Sequence, residues 1–222
     1  MLEGTTIPYL HEILLILAYA LLGGGMKYVD QAFDIGVFSK KTATIITIPG
    51  ALLMGYLIVA DSYSAMIFLA IVIGVAASRK IDNTVFQMGL LLLILTPIIF
   101  QNIVNIEWLP FGLLVLAALF DEYGNDWSDK RQLNRHLKTA LNHKTNDTTI
   151  KRIGEILLNH RPLMKATLLT LVITNYFHPL YLLALLTFDG AYKTIETISF
   201  HQKTYHLTAP IPMQKINGLT EK

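Results

Sequence analysis

The chain has 222 residues, 53% hydrophobic and only 15% charged, with a net charge of +2 and a mean hydropathy of +0.46. So few charges exclude an ordinary soluble domain, where about a quarter of the residues are charged. The absence of cysteine excludes disulfides, thiolate metal sites and cysteine nucleophiles. The apolar residues fall in long runs, which predict an all-α, polytopic integral membrane helix bundle forming a single membrane domain over residues 1–222. No polar stretch is long enough to build a separate core.

The N-terminus, Met1-Leu2-Glu3-Gly4, lacks the basic flank of a signal peptide, so the first apolar run is expected to be retained. That run predicts a first span over residues 7–25. It leads into Gly23-Gly24-Gly25-Met26-Lys27-Tyr28-Val29-Asp30-Gln31-Ala32-Phe33-Asp34, an acidic connection ending at Lys40-Lys41. If the helix continues past the glycines, Asp30 and Asp34 share a face one turn apart, and a bound cation would relieve their repulsion.

A second span is predicted over 42–60, with Pro49-Gly50 inside it, and Asp61-Ser62-Tyr63-Ser64 reads as a tight turn. The third span, 65–78, is short and is followed by Arg79-Lys80-Ile81-Asp82-Asn83. Asp82 and Asn83 also fit a helix N-cap before Thr84. The fourth span is predicted over 84–104 and a short fifth over 108–120, followed by Asp121-Glu122-Tyr123-Gly124-Asn125-Asp126. Residues 121–162 form the one long polar segment, with short amphipathic helices suggested by Leu133, Leu137 and Leu141. The sixth span, 163–187, is interrupted at Asn175 and His178-Pro179, where interhelical hydrogen bonds are expected. Beyond it lies a polar tail.

Six spans follow. Fourteen of the eighteen lysines and arginines lie in the odd-numbered loops, and the other four, Lys193, Lys203, Lys215 and Lys222, are in the tail. The positive-inside rule then places the odd-numbered loops in the cytoplasm and both termini outside. The basic residues thus have a topological explanation, and no nucleic-acid partner is expected.

This topology brings three acidic clusters to the cytoplasmic end, while Asp61, Glu107 and Asp189 fall at the other. Carboxylates and Asn oxygens without cysteine suit a hard cation such as Mg²⁺, which binds through a few carboxylates plus substrate phosphates. The expected metal ligands are Asp30, Asp34, Asp121, Asn125 and Asp126. The expected phosphate contacts are Lys27, Arg79, Lys80, Arg161 and Lys165, with Asp82 and Asn83 in support and the amides of Gly23–Gly25 nearby. At a bilayer boundary this chemistry points to a lipid-linked or isoprenoid (di)phosphate as substrate for a transferase-like reaction.

Asp30-x-x-x-Asp34 and Asp121-x-x-x-Asn125-Asp126 resemble the two Asp-rich motifs of the intramembrane prenyltransferases. That resemblance implies prenyl diphosphate bound through Mg²⁺ on cytoplasmic loops. The chain departs from the family at Met26-Lys27, where an Asn-Asp pair would stand, and has fewer spans than the family's nine, so membership does not follow. The Asp-Gly-x-x-Ala-Arg signature of the cytidine-diphosphate-alcohol transferases is absent.

Two other classes fit parts of the chain. A transporter or channel for a small ion or solute would use the broken spans at Pro49-Gly50, Pro97, Pro110 and His178-Pro179, although no charge is expected at the middle of any span. A membrane scaffold would need no site, and its loops would tolerate Asp34→Glu.

Overall fold

The computed structural model describes residues 9–78, 84–100, 105–140 and 161–208. These contain seven helices and no strand. They are α1 (Leu10–Asp34), α2 (Lys40–Ala60), α3 (Ser62–Ala77), α4 (Thr84–Phe100), α5 (Trp108–Ala140), α6 (Pro162–Ile173) and α7 (Pro179–Thr208). Arg79, Lys80, Asp82 and Asn83 lie outside the described residues, as do residues 141–160.

Two helices, α1 and α2, are long and apolar enough to cross a membrane. The outward faces of the bundle carry large apolar side chains: Leu21 is 69% exposed, Ile99 70% and Ile173 71%. A soluble monomer rarely shows contiguous apolar surface on this scale.

Three expectations about element boundaries change. The glycine run does not end the first helix: α1 continues from Leu10 through Asp34, so Lys27 and Asp30 are helical. The amides of Gly23–Gly25 are therefore inside a helix, where helix bonding occupies them. Likewise the fifth helix does not stop at residue 120, because α5 runs through Asp121–Asp126 to Ala140.

The third change is the largest. The sixth run is a hairpin of two helices. Asn175 is left-handed at φ 61°, and the Tyr176 and Phe177 amides donate to the Leu171 carbonyl at 2.9 and 3.1 Å. Proline disfavours helix in the residue before it and suits the first turn of a new helix, so α7 begins at Pro179. Asn175 and His178 are both exposed, and the bonds His178 accepts are local: its ring from the Leu180 amide at 3.3 Å and its carbonyl from the Tyr181 amide at 3.1 Å. The polar break turns the chain and does not join helices.

The helices close into a ring, α1–α2–α3–α5–α6–α7, with α7 packed back on α1 and α4 laid against α2. The α1–α7 seam is the most extensive. It depends on Gly23, where an added Cβ would lie 2.1 Å from the Phe188 carbonyl oxygen. Gly55 does the same for α2 and α4, since its Cβ would lie 2.5 Å from the Thr96 hydroxyl. Small residues that let backbones approach are typical of helix packing in lipid. The core is apolar and aromatic: Tyr19, Phe68 and Phe188 form a layer, with ring centroids 4.6 Å apart for Tyr19–Phe68 and 6.2 Å for Phe68–Phe188.

Candidate functional site

Polar groups gather at both ends of this ring. At the end where α2 turns into α3, Asp61 caps α3, accepting from the Tyr63 and Ser64 amides at 3.4 and 2.9 Å. The Tyr181 hydroxyl of α7 donates to the same carboxylate at 2.9 Å. One turn below, the buried Tyr19 hydroxyl donates to Ser64 at 2.9 Å.

The opposite end holds the charges. On α1, positions 23, 27 and 31 recur every fourth residue and face α7. Glycine at 23 lets the helices touch, and Lys27 and Gln31 are then buried in the seam. The Lys27 ammonium, only 7% exposed as a residue, donates to Asp30 at 2.8 Å and lies 3.3 Å from Glu196 of α7. Lys193 holds the other Glu196 oxygen at 2.8 Å. A turn beyond, the Ser199 hydroxyl donates to Gln31 at 2.6 Å.

A second cluster forms where α5 meets the start of α6. Arg161 is left-handed at φ 45° and precedes α6 without capping it. Asp121 of α5 supplies the cap from across the bundle, accepting from the Leu163 and Met164 amides at 3.0 and 2.7 Å. Its neighbour Glu122 takes the Arg161 guanidinium at 2.9 Å. Lys165 pairs with Asp189 across the α6–α7 hairpin.

Tyr192 joins the clusters. The Lys27 ammonium lies 4.8 Å from the centre of its ring and the Arg161 guanidinium 5.3 Å. Cations at this range are attracted to the ring face. Four cations (Lys27, Arg161, Lys165, Lys193) and five carboxylates (Asp30, Asp121, Glu122, Asp189, Glu196) thus gather at one end, in ion-paired groups bridged by Tyr192 and by the recess that Asp121, Glu122, Arg161, Lys165 and Asp189 share.

Of the residues expected at a site, the structure brings together Lys27, Asp30, Asp121, Arg161 and Lys165. Asp34 is exposed at the end of α1. Asn125 and Asp126 are half-buried on α5, at least one turn past Asp121, and all three have interactions of their own. Glu122, Asp189, Tyr192, Lys193 and Glu196 were not expected. Their signal was the three- and four-residue spacing of 189, 192, 193 and 196 after an apolar run, the mark of one helix face.

Asp189 was expected at the far end with Asp61, but the hairpin brings it to Lys165. Along α7 it lies eight residues past Tyr181, roughly 12 Å at 1.5 Å per residue. Lys27 is equally far along α1 from Tyr19. The charged cluster therefore lies roughly 12 Å along these helices from the Asp61–Tyr181–Tyr19 end.

A resident metal is a poor fit. Among the described residues no three His, Asp or Glu side chains gather as a metal would need. Both oxygens of Asp121 are committed to backbone amides, and Asp30 is committed to Lys27.

Two spaces adjoin the network. A small recess of about 40 Å³ is lined by Asp121, Glu122, Arg161, Lys165 and Asp189, with Ile71 on its wall. It has room for water. A larger cleft of about 320 Å³ lies between α1, α2, α3 and α4, is lined almost wholly by apolar side chains, and has the same Ile71 on its wall.

Compared with known proteins, the chain matches no family model, and no curated protein or solved structure is significantly similar to it.

Proposed function

We propose that the chain is a multi-pass membrane protein that binds an anionic amphiphile, a lipid-linked phosphate or diphosphate, at the charged end of the helix ring. The observation that carries this is the meeting of Lys27, Arg161, Lys165 and Lys193, from α1, α7 and the start of α6, in a bundle whose outer faces are apolar. Ionisable residues among membrane helices mark functional sites by default. Every one of these cations already has a carboxylate partner, so a phosphate enters by exchange, taking Arg161 from Glu122 or Lys165 from Asp189. Arginine's planar donors suit such a ligand.

The orientation follows from charge. Because α7 returns to the Lys27 end, Lys193 falls on the same side as Lys27, Arg161 and Lys165, which the positive-inside rule reads as cytoplasmic. Lys193, which conflicts with six spans, agrees with seven.

The test uses protein in nanodiscs of uncharged lipid. Decyl diphosphate should bind saturably, and the charge-neutral pair Lys165→Met/Asp189→Asn should weaken it at least tenfold while remaining monodisperse. Absence of saturable binding to the parent, or equal binding to both proteins, would overturn the reading.

A second reading is movement of protons or small cations. It is favoured by the depth of the Lys165–Asp189 pair, roughly 12 Å from the Asp61–Tyr181 end by helix rise. Acid-driven fluorescence change in proteoliposomes, abolished by Asp189→Asn, would support it. The Tyr19–Phe68–Phe188 layer separates the two polar ends and would have to part.

A further inference from the structure

The cleft between α1, α2, α3 and α4 has no role in the reading so far. Its wall includes Leu21, Met26, Val29, Met54, Phe86 and Leu93, and its volume of about 320 Å³ falls within the ordinary range for ligand sites. It is wide because Gly25, Gly50 and Gly89 stand where side chains would fill it. A Cβ at Gly50 would meet nothing within 4 Å.

The polar side chain on its wall, Thr47, already donates to the Ala43 carbonyl at 2.9 Å. No hydroxyl, amide or charge there seeks a ligand, so the occupant presents no polar group inside the cleft. Leu21 lines it and is 69% exposed, so the cleft opens onto the apolar outer face of the bundle and not into its core.

We infer that this cleft binds a single hydrocarbon chain, the tail of an amphiphile whose anionic head reaches the charged recess across Ile71. Ile71 is on the wall of both spaces, so a molecule with its tail in the cleft has Arg161 and Lys165, the two cations that line the recess, on the far side of this one side chain. The head rests on the reading proposed above. The tail site stands on the cleft itself and is tested separately.

The probes are two uncharged alcohols carrying a photoreactive diazirine, one on a farnesyl chain and one on a dodecyl chain. The protein is the full chain in uncharged nanodiscs. Crosslinks should fall on residues 21–29 and 46–54 and be competed by excess unlabelled alcohol. Gly50→Leu puts a side chain into the cleft from a position whose Cβ has nothing within 4 Å and should reduce that labelling at least fivefold. Gly112→Leu, on α5 and equally open, should leave it unchanged.

A farnesyl preference would identify an isoprenoid tail, and equal or dodecyl-favoured labelling an acyl tail. Uniform labelling of the apolar surface, or labelling of Gly50→Leu at the parent's level, would overturn the inference. Because these probes carry no phosphate, failure of decyl diphosphate binding would overturn the head-group reading and leave the tail result intact.

Discussion

The two ends of the helix ring bury polar groups in different ways. At the Asp61 end one carboxylate is satisfied by two amides of the helix it caps and by one phenol, with partners mostly two or three residues away. At the Lys27 end, four cations and four carboxylates from α1, α5, α7 and the start of α6 pair with one another, three of the pairs between helices, while Asp121 takes two amides of α6. The first arrangement survives loss of a partner with a modest cost. The second does not, because removing one member of a buried pair strands a charge in an apolar interior.

That contrast sets the order of expected effects. Lys27→Met should be the most destabilising, costing about 3 kcal/mol, because Asp30 loses its cation and Glu196 keeps only Lys193. Pairing it with Glu196→Gln should recover part of the loss. Denaturation in detergent measures both, and additive losses would show that the pair is not coupled.

Gly23→Ala should cost about 1–3 kcal/mol, because the new methyl meets the Phe188 carbonyl and forces α1 from α7. Asp121→Asn should cost about 1 kcal/mol through the cap it supplies to α6. Proteolysis near Arg161 should be faster in this variant, which an Asp126→Asn control should not match.

Tyr181→Phe at the quiet end should cost about 1 kcal/mol or less, the worth of one hydrogen bond. Smallest of all, millimolar Mg²⁺ alone should leave the melting temperature unchanged, since Asp30 and Asp121 are already committed. A rise of several degrees would mean that the network opens to admit a metal, and would blur the distinction between the two ends.

The quiet end was largely legible in the sequence and the charged end only in part. Asp61-Ser62 reads as a turn from its residues alone, and the second, third and fourth apolar runs became helices near their expected limits. The convergence of Lys27 and Asp30 with Asp121, Arg161 and Lys165 followed from loop order and charge. Glu196, Tyr192 and Asp189 were missed for one reason. The run 163–187 has the length of one span, and a left-handed residue at Asn175 decides that it is two helices. Reversing direction there moves Asp189 from the Asp61 end to the Lys165 side. Glu196 lies 169 residues from Lys27, and its spacing from Tyr192 and Lys193 marks a helix face without naming the lysine that face would meet.

The hairpin also decides which helices can stand alone. α6 has 12 residues, roughly 18 Å, against a hydrocarbon layer of about 30 Å, so by length it would not cross such a layer by itself. Packed as a pair with α7, it sets Lys165 against Asp189, and each charge offsets the other. The carboxylate of Asp121 receives the bare amides at the tip of α6, so a residue of an earlier helix completes the start of the hairpin.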